Sequence, residues 1–395
     1  MSPGQEAVDL SYILNHLGES REDYHGAVVP PLVQSAIFAF PSVAAMREGF
    51  SDEYSQHLYT RGNNPTVAIL RQKVAALEGS EDCLAFGSGA AAVAAAVLPS
   101  VRAGDHVVCV AKPYSWTRSL LRDLLPRFSV RTTFVDGTDV ANFQAAMTSD
   151  TRLIVLESPN SMTFEQQDLR AIAAMARERG IRTLCDNSFA TPLNQSPIAL
   201  GIDMVVHSAT KYLNGHGDVV AGMLCGSRAL LEEVFKSPYM TFGAIMSPHD
   251  AWLLIRGMRT LAVRMERIAA TTAKVLAFVE AHPKIRRVHH PHATEYPQSD
   301  LTRSQLSGAS GLLSIDLDTN DCVAVERFCN ALQRFLMTVS WGGYESLAFP
   351  VCAVFPPGSE MRPSSGVPLS LVRLSLGLEE PEVLIDDLSQ ALDKI

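Results

Sequence analysis

The feature that most constrains this chain is an alternation of short apolar runs with longer amphipathic stretches, from about Thr66 to Cys225. The runs Cys83–Phe86, His106–Val110, Val130–Val135, Leu153–Leu156, Thr183–Cys185, Met204–His207 and Met223–Cys225 have the length and composition of buried strands. Between them, Ser115–Leu125 and Leu169–Arg179 read as helices, and Thr66–Leu77 opens the series with Val67, Leu70, Val74 and Leu77 at helical spacing. Strands that are apolar throughout and separated by helices predict a mostly parallel sheet covered on both faces. Before this region, Pro30, Pro31 and Pro41 break any long element. After it, a long helical stretch over Ala251–Ala281 is closed by Pro283. The segments Gly311–Leu317, Cys322–Phe335, Leu371–Leu376 and Pro381–Leu392 then predict a smaller α+β unit.

With 395 residues, 47% of them hydrophobic, the chain has material for two or three structural units. Its 33 basic and 42 acidic residues leave a net charge of −9, which argues against a nucleic-acid or anionic-membrane surface. No run approaches the roughly 20 apolar residues of a membrane span. Met1 to Leu10 holds acids but no Lys or Arg, unlike a secretory signal or transit peptide. Seven cysteines without a C-x-x-C pair predict free thiols in a reducing cytoplasm, with Cys109, Cys185 and Cys225 buried in strands. His289-His290-Pro291-His292 has no Cys or Asp at ligand spacing and reads as a solvated loop rather than a metal site.

In sheets of this kind, ligands sit beyond the C-terminal ends of the strands. Those ends carry Gly87-Ser88-Gly89, Lys112-Pro113-Tyr114, Glu157-Ser158-Pro159, Asp186-Asn187-Ser188 and Ser208-Ala209-Thr210-Lys211. A Gly-rich helix start, an aromatic, a carboxylate, two hydroxyls and a lysine match the needs of pyridoxal 5′-phosphate (PLP). Gly89 and Ala90, opening an Ala-rich helix, offer amides to a phosphate, and Ser208 and Thr210 can reach the same group. Asp186 is suited to a protonated pyridine nitrogen, Tyr114 to stacking on the ring, and Lys211 to the aldehyde. Gly87-x-Gly89-x-x-Ala92 also fits a loose dinucleotide fingerprint, so by itself it serves either cofactor. Lys211 beside two hydroxyls is harder to explain structurally, because a lysine ending an apolar strand is costly unless used.

From about Pro30 to Leu392 the chain resembles the Cys/Met-metabolism PLP enzymes, among them cystathionine β-lyase, cystathionine γ-synthase, cystathionine γ-lyase and methionine γ-lyase. The resemblance rests on Val206-His-Ser-Ala-Thr-Lys-Tyr-Leu-Asn-Gly-His-Gly217 and Asp186-Asn-Ser-Phe-Ala-Thr-Pro192, supported by Arg256–Leu261 and Arg373–Glu379. It implies the aspartate-aminotransferase-like fold (fold type I). An extended segment at 1–58 would contact a neighbouring subunit, with a PLP-binding large domain at 59–256 and a small C-terminal domain at 257–395. It also implies Lys211 as the Schiff-base lysine, Asp186 as pyridinium partner, Tyr114 as stacking ring, and Gly89, Ala90, Ser208 and Thr210 as phosphate ligands. Tyr59 and Arg61 would reach the phosphate of a neighbouring subunit, and Tyr59 would also lie near the substrate. Arg373 would hold the substrate carboxylate bidentately, in a homotetramer built from two site-sharing dimers.

Ser161 and Ser340-Trp-Gly-Gly-Tyr-Glu-Ser-Leu347 resemble the bacterial cystathionine β-lyase branch, as does Tyr239, and Val339 stands where γ-enzymes that handle cystathionine usually carry Glu. Leu213–Gly217 and Phe242–His249 resemble the γ-enzymes, and Ala90 and Trp116 depart from the common pattern. The first expectation is a carbon–sulfur lyase releasing a thiol, pyruvate and ammonia from cystathionine or a related cysteine conjugate, with Ser340, Trp341 and Tyr59 lining the substrate. The second is γ-replacement or γ-elimination on an O-acylhomoserine, methionine or a similar amino acid. A dinucleotide-dependent oxidoreductase and a catalytically silent PLP-fold regulator are the competing classes.

Overall fold

A computed structural model describes residues 9–356, 358–359 and 366–395. The alternation becomes seven strands: β1 (Asp82–Phe86), β2 (His106–Val110), β3 (Arg131–Val135), β4 (Thr151–Glu157), β5 (Arg182–Asp186), β6 (Met204–Ser208) and β7 (Gly222–Gly226). They form one sheet in the order β1-β7-β6-β5-β4-β2-β3. Only β7 opposes its neighbours β1 and β6, so the sheet is mostly parallel as expected. Its central strands are buried over nearly their full length, which explains why their sequences are apolar rather than alternating.

Local chemistry sets the helices that serve this sheet. Helix α1 (Pro65–Glu78) starts where Asn64 accepts the Thr66 N–H, with proline at the first helical position, and stops at left-handed Gly79. Helix α2 (Gly89–Val97) is capped by Ser88, and its small side chains let it lie close to the strands. The closest approach depends on Gly222 of β7, where a Cβ would stand 2.1 Å from the Ser88 carbonyl oxygen.

Two helix expectations change. The helix predicted over Ser115–Leu125 is α-helical only over Ser115–Ser119. It widens to a π-turn at Leu120–Leu124 and tightens to a 3₁₀ turn at Leu125–Phe128. Pro126 has no N–H with which to continue an α-ladder. The stretch over Ala251–Ala281 is two helices, Pro248–Met258 and α3 (Leu261–Ala281). At the break, the Gly257 carbonyl accepts from the Thr260 N–H and hydroxyl and from Arg264, which diverts it from the ladder.

Helix α3 joins two cores. Leu261, Met265 and Ile268 pack with the large sheet, whereas Val275, Leu276 and Val279 pack with a second sheet. That sheet comprises β8 (Ile285–His289), β9 (Leu312–Leu317), β10 (Leu336–Met337), β11 (Leu347–Pro350) and β12 (Leu371–Ser375), in the order β10-β11-β12-β9-β8. Helices Cys322–Ala331 and α4 (Pro381–Leu392) cover it. Strands β8 and β10 escaped the sequence because one carries two arginines and a histidine and the other has two residues, both exposed.

The histidine run is not a solvated loop. His290 is fully buried, its Nε2 3.2 Å from the Ser310 carbonyl and its Nδ1 accepting from the His292 N–H. Burial pushes its pKa down to about 3. No His/Cys/Asp/Glu group among the described residues could hold a metal ion, and none of the seven cysteines is in a disulfide. Among the described residues no helix is long and apolar enough to cross a membrane.

Candidate active site

The C-terminal ends of β4, β5 and β6 bring together the residues singled out by sequence. Glu157 and Asp186 are register partners, and Asp186 lies opposite Val206, one turn of chain before Ser208 and Lys211. Asp186 Oδ1 accepts from the Ser188 N–H at 2.9 Å and the Ser188 hydroxyl at 2.6 Å. Burial pushes its carboxyl up, and the Ser188 bonds, His207 and Lys211 oppose that rise. Glu157 accepts from the amides of Tyr114 at 2.5 Å and Ser161 at 3.0 Å, yet burial and the Asp186 charge push it up to about 8. Tyr114, just past β2, is partly exposed beside both carboxylates, which raise its phenol pKa after burial does.

Lys211 meets a loop from the second sheet. Its Nζ donates to Ser340 Oγ at 2.5 Å and stands 5.3 Å from the Trp341 ring centroid. Ser340 holds φ 77° and Gly342 φ 82°, and a Cβ on Gly342 would lie 2.9 Å from the Tyr212 nitrogen. A non-glycine residue in the left-handed region is held there by its surroundings, at a cost of about 1–3 kcal/mol. Burial and then the Arg373 charge push Lys211 down to about 8, with Asp186 opposing. Arg373, on β12, donates to the carbonyls of Ser161 at 3.2 Å and Ser340 at 3.4 Å, and its guanidinium lies over Phe349. It is almost fully buried, which pushes its pKa down to about 10.

The donor set fits PLP. Among the described residues no hydrogen bond occupies Asp186 Oδ2, so a carboxylate oxygen is open to a pyridinium N–H. Gly89 lies flush against the lysine strand, where a Cβ would fall 3.0 Å from Ser208 Cβ, so the start of α2 and the Ser208 side chain share one spot. Thr210 instead exchanges two hydrogen bonds with the backbone of Ala221.

Tyr59 and Arg61 are not drawn into this cluster within the chain. Both are exposed and stack on each other at 5.3 Å, and no contact among the described residues joins either to Lys211, Asp186 or Arg373. Val339 is exposed, and Tyr239 is buried between Phe86 and Phe235. Sequence reasoning left Glu157 and Ser188 out of the site. The signal for Glu157 was available, since it ends a buried strand just as Asp186 does.

The Cys/Met metabolism PLP-dependent enzyme model matches residues 12–393. The chain belongs to this family. It is 39% identical over 382 residues to an L-methionine gamma-lyase of Pseudomonas putida, covering 95% of each chain. It is 34% identical to Cystathionine gamma-synthase 1, chloroplastic, of Arabidopsis thaliana, over 96% of this chain and 68% of that protein. It is also 34% identical to Cystathionine beta-lyase MetC of Bacillus subtilis, over 94% and 93%. The crystal structure of MetB from Corynebacterium glutamicum superposes with a TM-score of 0.90 at 32% identity, covering 98% of each chain. This PLP-dependent lyase or synthase therefore has a large α/β domain and a smaller second-sheet domain, and the dinucleotide reading of Gly87-x-Gly89 falls.

Proposed function

We propose that the chain is a carbon–sulfur β-lyase, acting on cystathionine or related cysteine S-conjugates to release a thiol, pyruvate and ammonia. The observation that carries this reading is the Ser340-Trp341 loop laid against Lys211 Nζ. An indole there narrows the space beyond the substrate Cβ and gives a soft sulfur an aromatic partner.

In this reading Arg373 fixes the substrate carboxylate, and Lys211 Nζ, oriented by Ser340, removes the Cα proton. When bound, the cofactor supplies an electron sink for the Cα–H bond pair, stabilised by Asp186. With the Cα proton held on Lys211 Nζ, the thiolate would leave from Cβ. Tyr114 would cover the cofactor ring, and Gly89, Ala90 and Ser208 would hold its phosphate, with Thr210 joining them only by releasing the Ala221 carbonyl. Tyr59 and Arg61 complete the site of a neighbouring subunit in a homotetramer. The division into an extended segment at 1–58, a cofactor domain at 59–256 and a small domain at 257–395 belongs to the same reading. Seven cysteines outside any disulfide fit a reducing cytoplasm.

A second reading, γ-elimination or γ-replacement, draws support from the higher identity to γ-lyases, 39% against 34% for the β-lyase. It needs a further proton taken from Cβ, which Lys211 could also accept. Incubation with cystathionine separates the two. Pyruvate in excess over 2-oxobutyrate is the expected result. Predominant 2-oxobutyrate, or turnover of O-acetylhomoserine alone, would overturn the β-reading.

A further inference from the structure

Glu157 occupies an unfavourable place that the cofactor and substrate contacts above do not account for. It ends β4 at 7% exposure, in register with the Asp186 carboxylate on β5. Among the described residues no basic side chain forms an ion pair with it, and the Arg373 charge reaches it only at longer range. Burying one carboxylate beside another is costly unless its oxygens are used. Both are used. Oε2 accepts from the Tyr114 amide at 2.5 Å and Oε1 from the Ser161 amide at 3.0 Å. The amides belong to different loops, one past β2 and one past β4, and neither has another acceptor among the described residues. Each loop carries a group of the cleft. Tyr114 brings its own phenol, and the Ser161 carbonyl accepts from Arg373 Nη1 at 3.2 Å. Met162, next along, accepts from Ser314 on β9 through its carbonyl, which ties the same loop to the second sheet.

We infer that Glu157 is a positioning residue, one carboxylate that fixes the Tyr114 and Ser161 loops against each other and so sets the phenol and the Arg373 guanidinium at a single spacing. The inference rests on the reading of Tyr114 as ring cover and Arg373 as holder of the substrate carboxylate. A carboxylate suits the task because it offers two acceptor oxygens, whereas an amide of the same shape offers one oxygen and turns N–H donors toward the other loop. Glutamine at 157 should keep its oxygen on Tyr114, the shorter contact, and present its N–H groups to the Ser161 amide. The Ser161 loop, and Arg373 with it, is then the part released.

The test compares Glu157→Gln and Glu157→Leu with Leu156→Ala, which loosens packing on the same strand without removing an acceptor. Thermal unfolding checks that each variant is folded. In crystals of cofactor-free Glu157→Gln, Ser161 and Arg373 should be displaced while Lys211 stays on Ser340. In PLP-loaded enzyme, KM for the substrate that the product assay selects should rise about tenfold, the loss of one charge-assisted contact, and kcat should fall by less. The visible circular dichroism of the bound cofactor should be kept in Glu157→Gln and weakened in Glu157→Leu, where Tyr114 is released as well. Leu156→Ala should move neither readout. A wild-type KM in Glu157→Gln, or an equal rise in Leu156→Ala, would overturn the inference. Arg373→Lys tests the reading beneath it, and its KM should rise. An unchanged KM there would overturn the carboxylate-holding reading and the inference with it, whereas a raised KM there beside a wild-type KM in Glu157→Gln overturns the inference alone.

Discussion

Two charged regions of this chain differ in how their charge is satisfied. Lys211, Asp186 and Glu157 at the strand ends, and Arg373 in the middle of β12, are withdrawn from water, and each is perturbed by burial and by the others. The Tyr59–Arg61 segment is exposed, with the Arg61 guanidinium over the Tyr59 ring and its stem beside Gly243. A buried charge persists where hydrogen bonds and opposite charges compensate it, so the first cluster is complete within one chain. An exposed arginine held over an aromatic ring needs no such compensation and remains free to meet an anion brought by another molecule.

The largest effect expected from this contrast is on the buried side. Lys211→Ala removes the amine that Ser340 orients, and turnover should fall by about 10³-fold or more, as loss of a positioned acid–base group does. Retained turnover, or pyridoxyl label mapped after borohydride reduction to a different lysine, would show that the buried cluster is structural. Arg61→Ala should weaken cofactor retention and activity strongly despite its exposure. Co-expressed Lys211→Ala and Arg61→Ala chains should recover activity, because mixed dimers pair an intact Lys211 with an intact Arg61. Random pairing restores about a quarter of the sites. No recovery, with mixed dimers shown to be present, would mean that Arg61 acts within its own chain or not at all.

The smallest effect concerns a buried group outside the cleft. His290 has a folded pKa depressed from 6.5 to about 3, so between those values the unfolded chain binds a proton that the folded chain excludes. Stability is therefore full above about pH 6.5 and is lost as pH falls toward 3, with a slope of about one proton. Urea unfolding across that window should show a shallower slope in His290→Asn than in wild type. An unchanged slope would mean that His290 is solvated after all.

How much was legible in advance follows the range of the interactions. Asp186, Ser208 and Lys211 could be read because each ends an apolar strand, and strand periodicity is a local signal. The helix starts near Thr66 and at Gly89 were legible for a similar reason, since helical spacing and a Gly-rich opening are read within a few residues. Before Thr66 only the proline breaks were read, and the short helices Leu10–Asn15 and Val43–Ser51 that form there left no such signal. The first of these is fastened from afar by fully buried Lys73, which donates to the carbonyls of Ile13 and Leu14 and pairs with Glu19.

The sequence by itself determined the strand and helix alternation, the mostly parallel sheet and the polar residues at its strand ends that are proposed to hold the cofactor, all of which depend on neighbours a few positions apart. Only the tertiary structure decided that Ser340 meets Lys211, that Arg373 is held by Ser161 and Ser340, that α3 serves two cores and that His290 is buried. Those contacts join residues up to 212 positions apart. Burial and hydrogen-bond partnership arise from the packing of such distant segments, and residue spacing along the chain carries no record of them.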